Sequence, residues 1–288
     1  MNSSTTITAQ FSTPNRTRMI ATAFLQLLWR DLWVTLRTWQ TFLAMTLVQP
    51  IFFLFIFGRL LPMLGQANAG YGVLFLPGII SLTTVLTAMQ AVSMPLVIEF
   101  GYTKEIEDRL LSPMPVWMVG IQKMVFASIR GLIAGAMIVP LGRLILGSGF
   151  SISFEYWWLL IIVAVLASLV GAGLGLTLGT FVQPSQIGLM FSVILTPMLF
   201  TGCIYFPWAM LDKLRWFQVV TCINPITYAS EGFRASLVPN IPHARLVHHR
   251  RTIRFPVIVH LSGCQGISSQ GARLQSLIHL AKGRRCLA

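Results

Sequence analysis

The apolar positions of this chain gather into five long runs, at residues 42–61, 73–98, 124–146, 157–182 and 187–208. A helix needs about 20 apolar residues to cross a bilayer. None of the runs alternates polar and apolar positions as a barrel strand does, so each predicts a transmembrane helix. Ahead of them, Leu25, Leu28, Trp29, Leu32, Leu36 and Trp39 recur at three- and four-residue steps, with Arg30 and Arg37 on another face. That pattern predicts an amphipathic helix over residues 16–40, lying in the membrane interface. Behind the fifth run, residues 209–220 and 226–237 are short and mixed, and Asn224-Pro225 separates them. Asn-Pro ends one helix and starts another, so two short re-entrant helices are expected on the outer side. The fold class is an all-α integral membrane protein.

Inside the fourth run Gly171, Gly175 and Gly179 recur every four residues. This spacing lets two helix backbones come close where packing replaces the missing hydrophobic drive. The glycines are not a dinucleotide fingerprint, because no strand precedes them. Pro50, Pro95, Pro140 and Pro197, in or near the runs, predict bends.

Composition agrees with lipid as the solvent. The chain is 55% hydrophobic and 10% charged, where a soluble domain carries about 25% charged residues. The net charge of +13 is unevenly spread, because 8 of the 21 basic residues and no acid follow Pro242. The remainder is ordinary for cytosolic loops under the positive-inside rule, and no nucleic-acid partner is expected. Arg16, Arg18, Arg30, Arg37 and then Lys104, Arg109 and Lys123 place the N-terminus and the loop after the second run in the cytosol. Cys203, Cys222, Cys264 and Cys286 show no metal-ligand spacing and read as free thiols, with a Cys203–Cys222 bridge as the alternative.

One interior loop concentrates charge. Residues 101–115 hold Lys104, Glu105, Glu107, Asp108 and Arg109 in a chain otherwise almost bare of charge between its runs. Such an elbow serves either as a solvated loop or as a contact with something in water.

Several chemistries are missing. There is no Gly-x-x-x-x-Gly-Lys-Ser/Thr phosphate loop, and no histidine precedes His243. ATP cannot be cradled in the usual way, and the commonest membrane metal ligand is absent from the runs. No carboxylate pair falls at the centre of a run, where ion-coupled carriers keep theirs. Neither a nucleophile–base pair nor a metal cluster is visible, so the chain does not read as an enzyme. Arg130 is the best intramembrane charge, about 10 Å beyond Lys123 at 1.5 Å per residue. It either snorkels to the cytosolic surface or meets a substrate. On these residues alone, a self-contained channel or secondary carrier stays open beside a permease driven by a partner.

Two stretches carry a resemblance. The first is Glu99-Phe-Gly-Tyr-Thr-Lys-Glu-Ile-Glu-Asp-Arg-Leu-Leu-Ser-Pro113; the second is Pro197-Met-Leu-Phe-Thr-Gly-Cys-Ile-Tyr-Phe-Pro207, with Asn224-Pro-Ile-Thr-Tyr228 and Phe233-Arg234 behind it. Together they resemble the permease subunit of ABC-2-type exporters, a class that includes nodulation-factor, daunorubicin-type drug and cell-surface polysaccharide exporters. The resemblance covers roughly residues 16–239. It implies a bacterial inner-membrane exporter of a drug, lipid-linked or glycan substrate, with two permease copies and two copies of a separate ATPase that binds the ATP and magnesium. It implies no cofactor in this chain. By the same match Tyr102, Lys104, Glu105, Glu107, Asp108, Arg109, Leu110 and Leu111 would form the coupling helix that docks on the ATPase. Phe206, Pro207, Asn224, Pro225 and Tyr228 would shape the outer exit.

The domain organisation is then an arm and interfacial helix over 1–40, an ABC-2-type transmembrane domain over 41–242, and a basic tail over 243–288. The tail departs from the family, whose members carry a sixth span. Its longest apolar stretch is residues 255–259, and all five histidines lie in it. We expect it to lack packed structure and to mark a frameshift near Pro242, the alternative being a genuine basic tail that binds anionic lipid or RNA. Under one choice of codons, Leu246-Val247-His248-His249 reads Trp-Phe-Ile-Ile in the next frame, an apolar beginning where the sixth span is due.

Overall fold

The computed structural model describes residues 16–66, 70–99, 116–147, 155–181 and 184–238. These residues form helices and turns, with no strand among them. The principal helices are α1 (Arg16–Arg37), α2 (Trp39–Met63), α3 (Tyr71–Ile98), α4 (Val116–Leu146), α5 (Trp157–Phe181), α6 (Ile187–Thr201), α7 (Arg215–Thr221) and α8 (Pro225–Leu237). By length and composition, four of them can cross a membrane: α2, α3, α4 and α5.

The first, second and fourth apolar runs coincide with α2, α3 and α5 to within a few residues. The third helix begins eight residues before the apolar run, at Val116 rather than at position 124. Gln122 and Lys123 broke the apolar pattern, yet both are buried and partnered. The fifth run behaves differently. Its helix stops at Thr201, about 22 Å long at 1.5 Å per residue, short of the roughly 30 Å hydrocarbon core. Gly202 and Cys203 end it, the latter with φ of 48°, in the left-handed region that a helix cannot continue through. A 3₁₀ turn, Trp208–Lys213, follows Pro207 and leads into α7.

Pro50, Pro95, Pro140 and Pro197 all lie within helices that run on past them. Six residues after Pro50, α2 widens into a π-helical turn at Ile56–Leu60. The helix closes at Gly65, whose φ of 70° lets its own N–H reach Pro62 O and the Gln66 N–H reach Leu61 O, both at 3.1 Å. This paired closure uses glycine because a side chain resists that backbone angle.

α3 is the central element. It has no separate polar face, as a helix enclosed by protein over most of its length must. It packs against α2, α4, α5 and α8. Phe75, Ile79, Leu82, Val85 and Met89 are fully or almost fully buried there. At its Tyr71 end, Phe57, Phe75 and Tyr205 lie with ring centroids 5.2–5.8 Å apart. The Tyr71 hydroxyl donates to Tyr205 O at 2.6 Å, fastening the segment after α6 to the start of α3.

α1 lies against α4. Its Leu28, Asp31 and Leu32 face the protein, whereas Leu25, Trp29, Trp33 and Leu36 are exposed. Trp29 and Trp33 stack at 6.5 Å on that outward face. The predicted stripe therefore divides, with one edge on the bundle and one edge turned away from it.

Candidate functional site

The elbow residues Tyr102, Lys104, Glu105, Glu107, Asp108, Arg109, Leu110 and Leu111 lie outside the described residues, as does the tail from position 239 onward. The helix ends that carry the elbow are described. Glu99 follows the last turn of α3 and Lys123 lies in the second turn of α4. The Lys123 ammonium donates to Glu99 Oε1 at 2.6 Å, with both side chains nearly buried, at 9% and 11% exposed. One turn face away, Gln122 is fully buried and donates to Asp31 Oδ2 of α1 at 3.0 Å. Arg30 donates to the other Asp31 oxygen at 2.9 Å. Residues of α1, α3 and α4 are thus cross-tied by polar contacts at the root of the elbow. Burial makes such contacts exacting, because a lost partner leaves a desolvated polar group behind.

The glycine stripe of α5 lies on α3. A methyl group at Gly171 would overlap the Val85 carbonyl oxygen and stand 3.0 Å from Val85 Cα. At Gly175 it would overlap the Met89 carbonyl oxygen and stand 2.9 Å from Met89 Cα. At Gly179 it would stand 2.9 Å from Leu96 Cδ2. α4 uses the same device one helix earlier: a methyl at Gly131 would stand 2.7 Å from the Thr84 carbonyl oxygen. Gly131 and Gly135 are themselves four apart in the sequence, a signal that was readable and was missed.

The segment after α6 is organised by polar side chains. Asn224 is the N-cap of α8 and accepts from the Ile226 N–H at 2.9 Å, the usual work of an Asn in that position. Its amide also donates to Met198 O at 2.8 Å and to Thr201 Oγ1 at 2.9 Å, both on α6. The Thr227 hydroxyl reaches Thr221 O and Thr201 O at 2.7 and 3.0 Å. Asn224-Pro225 therefore ties α7, α8 and the end of α6 to one point. From there α8 runs antiparallel to the first half of α3. Near its beginning Ile226 O accepts from Ser81, and near its end Arg234 Nε donates to Leu74 O at 3.3 Å. Arg234, 2% exposed, also donates to Cys203 O at 3.2 Å and pairs with Glu231. Glu231 in turn accepts from the Trp208 N–H at 2.9 Å.

Of the predicted exit residues, Asn224, Pro225 and Tyr228 come together here. The Tyr228 hydroxyl donates to Cys222 O, and burial pushes its pKa up to about 12. Pro207 is buried at the head of the 3₁₀ turn, and Phe206 is half-buried beside it. Cys203 and Cys222 are both free thiols, so the bridge weighed from sequence does not form. The Arg234–Glu231 pair was not expected from the sequence. Its signal, an acid and a base three apart on a short helix, is common on solvated surfaces.

Arg130 sits mid-helix in α4, its guanidinium 4.7 Å from the Phe42 ring centroid and 5.7 Å from that of Phe126.

The ABC-2 type transporter family model matches residues 22–238. A protein of Cyanophora paradoxa named "Putative transport permease ycf38" is 25% identical over 223 residues, covering 71% of this chain and 71% of its own length. No solved structure matches. The match reaches from within α1 to the end of α8 and takes in the four described helices that are apolar and long enough to span a bilayer, so the chain belongs to the ABC-2 type transporter family and is a multi-pass membrane subunit of a transporter.

Proposed function

We propose that this chain is the permease subunit of an ATP-driven exporter of a bacterial inner membrane. Permeases of this family work with a separate ATPase, and the chain has no phosphate loop of its own. Two permease copies and two ATPase copies make the working unit, with ATP and magnesium held by the ATPase. The N-terminus and the elbow at 101–115 face the cytosol. The elbow docks on the ATPase through Glu105, Glu107, Asp108 and Arg109. α7 and α8 re-enter from the outer side, and the α6 segment completes a fifth crossing with their help. The cargo is a drug, a lipid-linked molecule or a glycan.

The family match over 22–238 carries this reading. The contacts at the elbow's root support it, because Glu99 and Lys123 would make movement of the elbow movement of α3 and α4 together. The test is co-purification of the tagged chain with an ABC ATPase subunit expressed from the same genome. Reversing Glu105, Glu107 and Asp108 to Lys should abolish the association. Undiminished association, or solute movement by the purified chain alone in liposomes, would overturn the reading in favour of a self-contained channel or carrier.

A further inference from the structure

A cleft of about 250 Å³ opens between α2, α3 and α4. It is far larger than the roughly 10–15 Å³ that one water needs by the same kind of measure. Thr46 and Gln49 of α2, Thr87 and Gln90 of α3, and Arg130 of α4 line it, and no acidic side chain does. Thr46, Gln49, Thr87 and Gln90 have no hydrogen-bond partner among the described residues, so their polar atoms stay available to an occupant. Met45 and Met94, also on the lining, are exposed.

Arg130 is the unusual member. It lies about 18 Å along α4 from Met118, deep in a helix of spanning length. A charge there is costly unless it is paired. No carboxylate pairs with it among the described residues, and its Nε is buried without a hydrogen-bond partner. Phe42 and Phe126 lie near the guanidinium, and contact with ring faces steadies the cation without using its N–H donors. What remains free is the planar fork that suits an oxyanion with two acceptor oxygens.

We propose that this cleft binds the phosphate group of an anionic amphiphile that enters sideways from the bilayer. The phosphate pairs with Arg130, the Thr and Gln side chains bond its remaining oxygens and any glycerol-like hydroxyls, and the acyl chains leave past Met45 and Met94. The site rests on the fold and on the membrane setting, not on the ATPase partnership.

The test is native mass spectrometry of the purified full chain, titrated in detergent with phosphatidylglycerol and phosphatidylcholine of identical acyl chains. The chain should retain phosphatidylglycerol in preference, and Arg130→Gln should weaken that retention by roughly tenfold, as loss of a charge-assisted pair does. Arg130→Lys should keep part of the preference, and Arg143→Gln, at an exposed cation, should keep all of it. Should Arg130→Gln not fold, the Thr87→Val/Gln90→Leu variant keeps the charge and should still lower retention. Competition with soluble glycerol phosphate separates the sources of the anion. Weak competition identifies a lipid, and displacement at equal concentration identifies a free phosphate ester, which would overturn the lateral-entry claim. Equal retention of both lipids by the wild-type chain, or unchanged preference in Arg130→Gln, would overturn the site itself.

Discussion

Glu99 and Lys123 join the two ends of the elbow across 2.6 Å, although 24 positions separate them in the chain. The helix ends on either side of the elbow are thereby held to each other. Removing Glu99 strands the nearly buried Lys123, at a cost of about 3 kcal/mol or more. Glu99→Leu alone should therefore lower thermal stability in detergent sharply. Glu99→Leu combined with Lys123→Met should recover much of the loss, because no buried charge is left over. Additive losses in a double-mutant cycle would show that the two do not act as a pair.

Two neighbouring glycines of α5 should respond oppositely to alanine. Gly175→Ala puts a methyl into the backbone of Met89 and must push α5 off α3, an overpacking cost of about 1–3 kcal/mol. Gly173→Ala meets only Met124 Cε, at an ordinary 3.8 Å, and gains about 0.5–1 kcal/mol of helix propensity. Unfolding temperatures of the two variants, measured side by side, decide the matter. Equal responses would mean that the α3–α5 contact is looser than described.

The cysteines should separate by reactivity. Cys203 is fully buried, whereas Cys222 is half-buried, so a thiol reagent meets Cys222 first. In a chain with Cys264 and Cys286 replaced by Ser, maleimide at pH 8 should label Cys222 and spare Cys203. Labelling of both cysteines at one rate at pH 8 would refute the burial of Cys203.

Asn224→Ala removes an N-cap and two links to α6 at once. A lost cap alone costs about 1 kcal/mol, so the variant should lose more than that. Asn224→Ser, which can cap but reaches less far, should recover only the cap's share. Limited proteolysis between α6 and α8 measures it, and a variant no more sensitive than the wild-type chain would argue against the tie.

The spans were legible where apolar length decides the outcome. α2, α3 and α5 lie almost where uninterrupted runs place them, since lipid leaves the backbone no other way to satisfy its hydrogen bonds. The start of α4 was not legible, because Gln122 and Lys123 look like solvated residues until Asp31 and Glu99 are brought to them in space. The end of α6 was hidden for the opposite reason: the segment stays apolar to Trp208, while the backbone turns at Cys203. Arg130 was singled out as the best intramembrane charge, and Phe126, four residues before it on α4, was readable, but the Phe42 ring comes from α2, which only the fold brings beside it. The elbow's five charged residues lie outside the described residues, so its part rests on the resemblance and the helices that bear it.

The glycine seam has a mechanical consequence. In α3 83% of the most apolar stretch is enclosed by protein, against 17% in α2. Sliding α5 along α3 would drive Cα hydrogens and side chains of each into carbonyls of the other, so the two can turn only as a single axle. α2 grips that axle lightly and can change neighbours at little cost. The stroke proposed at the elbow would then reach the far end as rotation of a stiff shaft, with α2 the helix left to open the protein's flank.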